Sequence, residues 1–181
     1  MAVAVSFLAP IAVSQISKPS LPDPIKFINK RELVMRGSRA VIEDLGYKVE
    51  LYDEAGGRIV TKPFEFITGA LTSSEIDKIA NKTDSVTGTW LRAQFVIEAS
   101  FEVVTPTITL VTVRTRMEGL MRDSDGKESW LQLQSLGSVE KRVLGKISLK
   151  LLGTEPQFKD NKGFWDKKPT PPPTIKKRPA A

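Results

Sequence analysis

The strongest pattern in the chain is the apolar residue at every second position, seven in all, over Leu91-Arg92-Ala93-Gln94-Phe95-Val96-Ile97-Glu98-Ala99-Ser100-Phe101-Glu102-Val103. Successive side chains of a β-strand point to opposite faces, so this period of two predicts a strand with one buried face and one solvated face. At about 3.3 Å per residue the strand would be about 43 Å long, and we therefore expect it to bend or twist sharply.

The residues that follow this stretch predict two partner strands. Thr105 and Pro106 form a turn, and residues 107–117 return with a change of apolar phase between Leu110 and Val111, which predicts a β-bulge. A second turn at 123–126 leads into another alternating run at 128–134. Together these segments predict an antiparallel meander of three strands.

The residues that precede it add a hairpin and one short strand. Residues 47–52 alternate, the Gly-rich segment 53–57 supplies a turn, and residues 58–62 run back towards Pro63, which indicates an edge or an ending. Residues 25–28 form a further short strand. The predicted sheet therefore has about five to six strands.

Three segments have the apolar spacing of amphipathic helices. The first runs from about 30 to 45, with Asn29 as N-cap, Glu32 completing a capping box and Gly46 at the C′ position. Leu33 is expected on its buried stripe, and Gly37 is expected where another element approaches closely.

The other two helices also begin at candidate caps. Thr72 and Glu75 have the spacing of a second capping box, which opens a short helix, and Ser138 is expected to cap a third helix that ends near 152. Alternating strands bury only one face, and the two longer helices can cover it. The sequence therefore predicts an α+β fold, an antiparallel sheet with two main helices packed on one face.

Proline and charge divide the chain into three parts: an apolar, Pro-rich lead at 1–24, an α+β body at 25–152, and a basic Pro-rich tail at 153–181. Lys and Arg outnumber Asp and Glu by seven to three in residues 154–181, but only by 19 to 17 in residues 25–153. Nucleic-acid binding needs basic residues clustered on one face, so a nearly neutral body indicates no nucleic-acid partner.

The apolar run at 1–13 has the length of the hydrophobic region of a signal peptide, and small residues follow at 12–14. No basic residue precedes the run, so either the true start lies upstream or the run is not a signal. The alternative is a disordered or packed apolar N-terminus. Export predicts the periplasm or cell envelope of a bacterium, and the alternative predicts the cytoplasm.

The tail is the candidate partner-binding segment. Its prolines favour an extended polyproline II conformation, and its like charges repel one another. We expect it to dock on an aromatic groove, an acidic protein face or an anionic membrane surface, with a solvated tail as the alternative. The candidate contact residues are Phe164, Trp165, Lys167, Lys168, Pro171, Pro172, Pro173, Lys176, Lys177 and Arg178.

The composition excludes several chemistries, because the chain has no Cys and no His. Thiol nucleophiles, disulfides and His-based triads are absent, and we expect no metal, no cofactor and no catalytic residue. Asp123, Asp125 and Glu128 resemble part of a calcium loop, but a tight turn accounts for them better. Ser138 and Lys141 have the spacing of a Ser-Lys hydrolase, but Lys141 is expected on a solvated helix face.

Residues 40–62, which read AVIEDLGYKVELYDEAGGRIVTK, resemble a phrase of BamC-like bacterial envelope lipoproteins. The resemblance implies a helix-grip fold and a non-catalytic accessory or scaffold role, often in outer-membrane assembly. It transfers no functional residue, and the chain lacks the cysteine that would carry a lipid anchor.

Two functions follow as hypotheses. The first is a cell-envelope scaffold that binds a protein partner, an envelope complex, through the body, with the tail as tether. The alternative is a carrier that holds a lipid or another small apolar ligand between the sheet and the C-terminal helix.

Overall fold

The computed structural model describes residues 21–82 and 88–158. These residues form an α+β body, and all their strand pairs are antiparallel. The helices are α1 (Arg31–Asp44), α2 (Thr72–Ile79) and α3 (Ser138–Leu152). The strands are β1 (Ile25–Phe27), β2 (Val49–Asp53), β3 (Arg58–Thr61), β4 (Phe64–Thr68), β5 (Ala80–Asn81), β6 (Thr89–Thr105), β7 (Ile108–Arg122) and β8 (Glu128–Ser135).

The sheet of the described residues has eight strands rather than five to six. Its order is β2-β3-β6-β7-β8-β5, with β1 also paired to β7 and β4 also paired to β6. The two strands that the sequence did not predict are β4, which resumes after Pro63, and β5, which is two residues long. The predicted meander of three strands is confirmed, because β6 pairs with β7 and β7 pairs with β8.

The irregularity in the long hairpin lies in β6, and the bulge predicted between Leu110 and Val111 is wrong. Pairing is continuous there, with Glu102 opposite Leu110 and Phe101 opposite Val111. The register shifts instead between Trp90 and Arg92, so that Leu91 falls out of the alternation. The Leu91 carbonyl accepts hydrogen bonds from the Gly69 N–H at 2.9 Å and from the Thr72 hydroxyl at 3.1 Å, which attach the bulge to the start of α2.

The two central strands, β6 and β7, each change their outer partner strand near the middle of the sheet. β6 pairs with β4 up to Phe95 and with β3 from Glu98, while β7 pairs with β1 up to Val111 and with β8 from Met117. The gaps cover residues 96–97 of β6 and 112–116 of β7, and within them Ile97 and Thr115 lie opposite each other.

Side chains fill both gaps. The Ile97 N–H donates to the Thr61 hydroxyl oxygen at 2.9 Å, and the Thr115 N–H donates to Glu140 Oε1 at 3.2 Å. Glu140 lies on the first turn of α3 and is 0% exposed. A buried backbone N–H without an acceptor is costly. The side chains of Thr61 and Glu140 therefore supply acceptors at the points where β6 and β7 change their partner strands.

The helix ends correct the predicted caps. Gly46 has φ of 88°, and the N–H groups of Gly46 and Tyr47 donate to the carbonyls of Glu43 and Ile42, so the predicted C′ glycine of α1 is confirmed. None of the three helices has a side-chain hydrogen bond at its N-cap, and the caps predicted at Asn29, Thr72 and Ser138 are wrong.

The competing hydrogen bonds explain two of these errors. The Thr72 hydroxyl donates to the carbonyls of Gly69 and Leu91, and the carbonyl of Asn29 accepts from the Thr109 hydroxyl. Both residues therefore connect the helix starts to the sheet. The N-cap of α3 is Gly137, whose φ of 89° favours glycine, and Ser138 is exposed.

One hydrophobic core joins the helices to the sheet. The buried side chains of α1 and α3 include Met35, Ile42, Leu144 and Ile147, and they contact the inner face of β6 and β7. The close approach predicted at Gly37 is confirmed, since a Cβ there would lie 2.6 Å from Cδ2 of Leu151. Leu33, expected inside, is exposed.

Candidate functional site

The partner-binding residues predicted in the tail, from Phe164 to Arg178, lie outside the described residues. The structure does describe the first residues of the tail, 153–158. Three surface features of the body remain as candidate sites: the cleft where the two ends of the described chain meet, a groove between α1 and α3, and the open face of the sheet.

The segment 154–158 turns back along α3. Gly153, with φ of 74°, ends the helix, and the Ser148 hydroxyl then donates to the carbonyl of Thr154 at 2.9 Å. Lys146 and Glu155 form an exposed ion pair at 3.6 Å. Phe158 packs on the core beside Gly145, where an added Cβ would lie 3.7 Å from its ring. The tail therefore starts from a fixed place on the body.

The cleft between the chain ends has a volume of about 190 Å³. One wall is formed by residues 21–25 and the other by Lys141 of α3 and residues 156–158. Leu21, two prolines of the lead and Phe158 make this lining largely apolar. The lead and the returning segment thus flank the same part of α3, which brings the two ends of the body together.

The groove between α1 and α3 has a volume of about 240 Å³. We call it the helix groove and define it by Val41, Asp44, Leu45, Lys146, Leu149 and Lys150. Its floor is aliphatic and its rim is charged, with an ion pair between Lys150 and Asp44 at 3.1 Å across the two helices. Leu149 is 41% exposed although it lies inside α3. By contrast, Leu144 is fully buried, and Leu151 and Leu152 lie at the end of the helix.

The open face of the sheet carries charges that are paired within the face itself. Arg58 contacts Glu98 at 2.6 Å across β3 and β6, and Arg122 contacts Glu128 across β7 and β8. The Gln94 amide also donates to the Glu118 carboxylate. Cross-strand pairs of this kind stabilise a solvated sheet face, while Arg114 and Arg116 of β7 are exposed on it with no carboxylate partner among the described residues.

Glu140 is a buried polar side chain whose hydrogen bonds are all made within the protein, and the sequence analysis did not single it out. Its carboxylate accepts hydrogen bonds from the N–H and hydroxyl of Thr115 and, at 2.9 Å, from the hydroxyl of Ser135. The Ser135 oxygen in turn accepts the Gly137 N–H at 3.0 Å. Since both carboxylate oxygens accept hydrogen bonds from strand residues, Glu140 connects α3 to the sheet.

The candidate calcium loop is a turn. Asp123 Oδ1 accepts the N–H groups of Asp125 and Lys127 at 3.0 and 2.9 Å, Gly126 has φ of 82°, and Glu128 pairs with Arg122. Within residues 21–82 and 88–158, no group of three or more Asp and Glu could hold a metal ion. Of the Ser-Lys pair, Ser138 is exposed and Lys141 lines the cleft between the chain ends.

Tyr47 is a buried tyrosine whose phenol is harder to ionise in the folded protein. Its ring contacts the rings of Phe64 and Phe95, with centroids 5.1 and 5.8 Å away. Desolvation raises the pKa of Tyr47, and the positive charge of Arg142 opposes this effect. Arg142 lies four residues before Lys146 on α3.

None of the helices in the described part of the chain is long and apolar enough to span a membrane. No protein-family model matches the chain, and a comparison with curated proteins found no relative.

Proposed function

We propose that the chain is a non-catalytic accessory or scaffold protein of the cell envelope, which binds a protein partner through its α+β body and uses the C-terminal tail as a tether. The observation that supports this most is the return of residues 154–158 along α3. A tether raises the effective concentration of its partner near the body, and a fixed starting point keeps that concentration high near the helices.

The local fold supports the BamC-like, helix-grip part of the proposal. Residues 40–62, which carry the resemblance, form the end of α1, the glycine turn at Gly46 and the hairpin of β2 and β3. α1 and α3 both bury side chains against the long central strands. This arrangement suits a rigid platform that presents a helical surface.

The packing favours a protein partner over the carrier hypothesis. The inner residues of α3, Val143, Leu144 and Ile147, are fully buried in the core, so an apolar ligand held there would have to displace them. The carrier function remains a prediction.

Affinity capture from the cells that produce the protein tests the proposal. We would compare the tagged full chain with a chain that ends at Phe158, after brief cross-linking. We expect one envelope protein to be enriched by both, with recovery at least about tenfold lower for the shorter chain because the tether is lost. Recovery of no protein above a tag-only control would contradict the proposal. Full chains retaining Met1 in the cytosol would contradict the envelope assignment.

A further inference from the structure

We propose that the helix groove binds a protein segment with leucine-like side chains flanked by carboxylates. This inference rests on the proposed function, because it names the surface and the chemistry through which the body would hold its partner. A short amphipathic helix rich in Leu and Glu fits the description.

The floor of the groove supplies the apolar half of the site. Val41 and Leu45 are one turn apart on α1 and therefore lie on the same face, opposite Leu149 of α3. Its volume of about 240 Å³ is below the roughly 300–1,000 Å³ of small-molecule pockets. The groove is therefore suited to a few side chains of a larger partner.

The rim supplies the charged half. Arg142, Lys146 and Lys150 are spaced by four residues and form one row along α3. Among the described residues this row meets two carboxylates, Glu155 at 3.6 Å from Lys146 and Asp44 at 3.1 Å from Lys150. Arg142 has no carboxylate partner in that part of the chain.

The two ion pairs are replaceable. All four side chains are at least 44% exposed, and exposed ion pairs contribute little to stability. Asp44 is also the last residue of α1, where the helix dipole disfavours a negative charge. Carboxylates of a partner can therefore take over the basic row, and a basic partner would be repelled by it.

The test uses the full chain and synthetic 14-residue peptides, followed by backbone amide shifts in NMR. The binding peptide has leucines at i, i+3, i+4 and i+7 and glutamates elsewhere. A scrambled peptide of the same composition and a peptide with lysine in place of glutamate serve as ligand controls. We expect only the first peptide to bind, with shifts concentrated at 41–45 and 142–150.

A paired variant tests the site. Lys146→Glu with Leu149→Asp should weaken binding at least tenfold, whereas Lys127→Glu with Val104→Asp makes the same changes at exposed positions elsewhere and should bind as the wild type does. Thermal unfolding by circular dichroism confirms that both variants are folded. Lys146→Gln alone, which keeps the floor, should weaken binding by a smaller factor.

Three results would overturn the inference: equal binding by the two paired variants, equal binding of the scrambled peptide, or shifts on the sheet face. A further arm measures binding to vesicles of anionic phosphatidylglycerol. If the groove variant loses vesicle binding but binds the peptide as the wild type does, the basic row would be assigned to a membrane instead. If cells yield a partner that the groove variant also captures, the groove inference fails while the proposed function stands.

Discussion

At the scale of single residues, the fold depends on two side chains that replace missing strand neighbours. Thr61 and Glu140 accept the backbone N–H groups of Ile97 and Thr115, which face each other across the central hairpin. Neither could be identified from the sequence, because a Thr at a strand end and a Glu in a first helical turn have common local explanations. Their role depends on which strands are adjacent, and the sequence pattern does not contain that information.

Replacing Glu140 should therefore destabilise the body. Glu140→Ala leaves the Thr115 N–H buried without an acceptor, and we expect the free energy of unfolding to fall by about 3 kcal/mol. Glu140→Gln keeps one acceptor oxygen and should cost less, about 1–2 kcal/mol. Urea unfolding measures both, with Ser138→Ala, an exposed neighbour, as the control. A loss below about 1 kcal/mol for Glu140→Ala would contradict this role.

Tyr47 gives the body a specific dependence on alkaline pH. Because burial raises its pKa in the folded state, the unfolded chain loses the phenolic proton first as the pH rises above about 10. Stability should be complete below that pH and decline through the folded-state pKa. Unfolding free energies from pH 8 to 11 should show this decline in the wild type and a smaller one in Tyr47→Phe. Equal curves would contradict the prediction.

Arg142 should oppose this effect. In a Tyr52→Phe background Tyr47 is the single tyrosine of the chain, so its ionisation can be followed by absorbance. Arg142→Gln should raise the pKa of Tyr47 further, since the positive charge that lowers it is gone. A pKa that stays the same or falls would show that Arg142 does not act on Tyr47.

At the scale of elements, the long hairpin was predictable and its irregularities were not. Alternation identified β6, and turn residues identified its return strand, because both signals are local. The phase change at Leu110 suggested a bulge, but Leu110 is a partly buried residue on the open face, opposite Lys26 of β1. The shift at Leu91 reflects hydrogen bonds to Gly69 and Thr72, which are about 20 residues away. β4 was missed because it is short and follows a proline.

The contact between Gly119 and Trp90 determines how closely β6 and β7 pack near this shift. A Cβ at Gly119 would lie 2.6 Å from Cζ3 of Trp90, so Gly119→Ala should lower the free energy of unfolding by about 1–3 kcal/mol. In a Trp90→Leu background the same substitution should cost much less. Urea unfolding of the four proteins gives the coupling energy. An equal cost in both backgrounds would show that the ring does not limit the space.

At the scale of the whole molecule, the segments 21–25 and 154–158 come together beside α3. The division into lead, body and tail rests on the sharp changes in proline content and charge along the sequence, and it stays a prediction. The helix groove was not visible, since its floor and rim come from two helices about 100 residues apart. Helix patterns show which face is buried, but not which exposed residues of two helices become neighbours.

The returning segment should contribute to stability, and the residues beyond it should not. A chain that ends at Gly153 loses Phe158 from the core and should unfold more easily by about 2 kcal/mol. A chain that ends at Phe158 should match the full chain within about 0.5 kcal/mol. Thermal and urea unfolding compare the three. Equal stability of the chain that ends at Gly153 would mean that the segment is not held on α3.

The most direct test of the interaction role is photo-crosslinking in the cells that produce the protein. A photoreactive amino acid is placed at Leu149 in the groove or, as the control, at Val104, an exposed position at the end of the long hairpin. The account predicts one discrete adduct with an envelope protein from position 149, lost when Lys146 is also changed to Glu, and none from position 104. Absence of any adduct from position 149, together with substrate turnover by the purified chain, would contradict it.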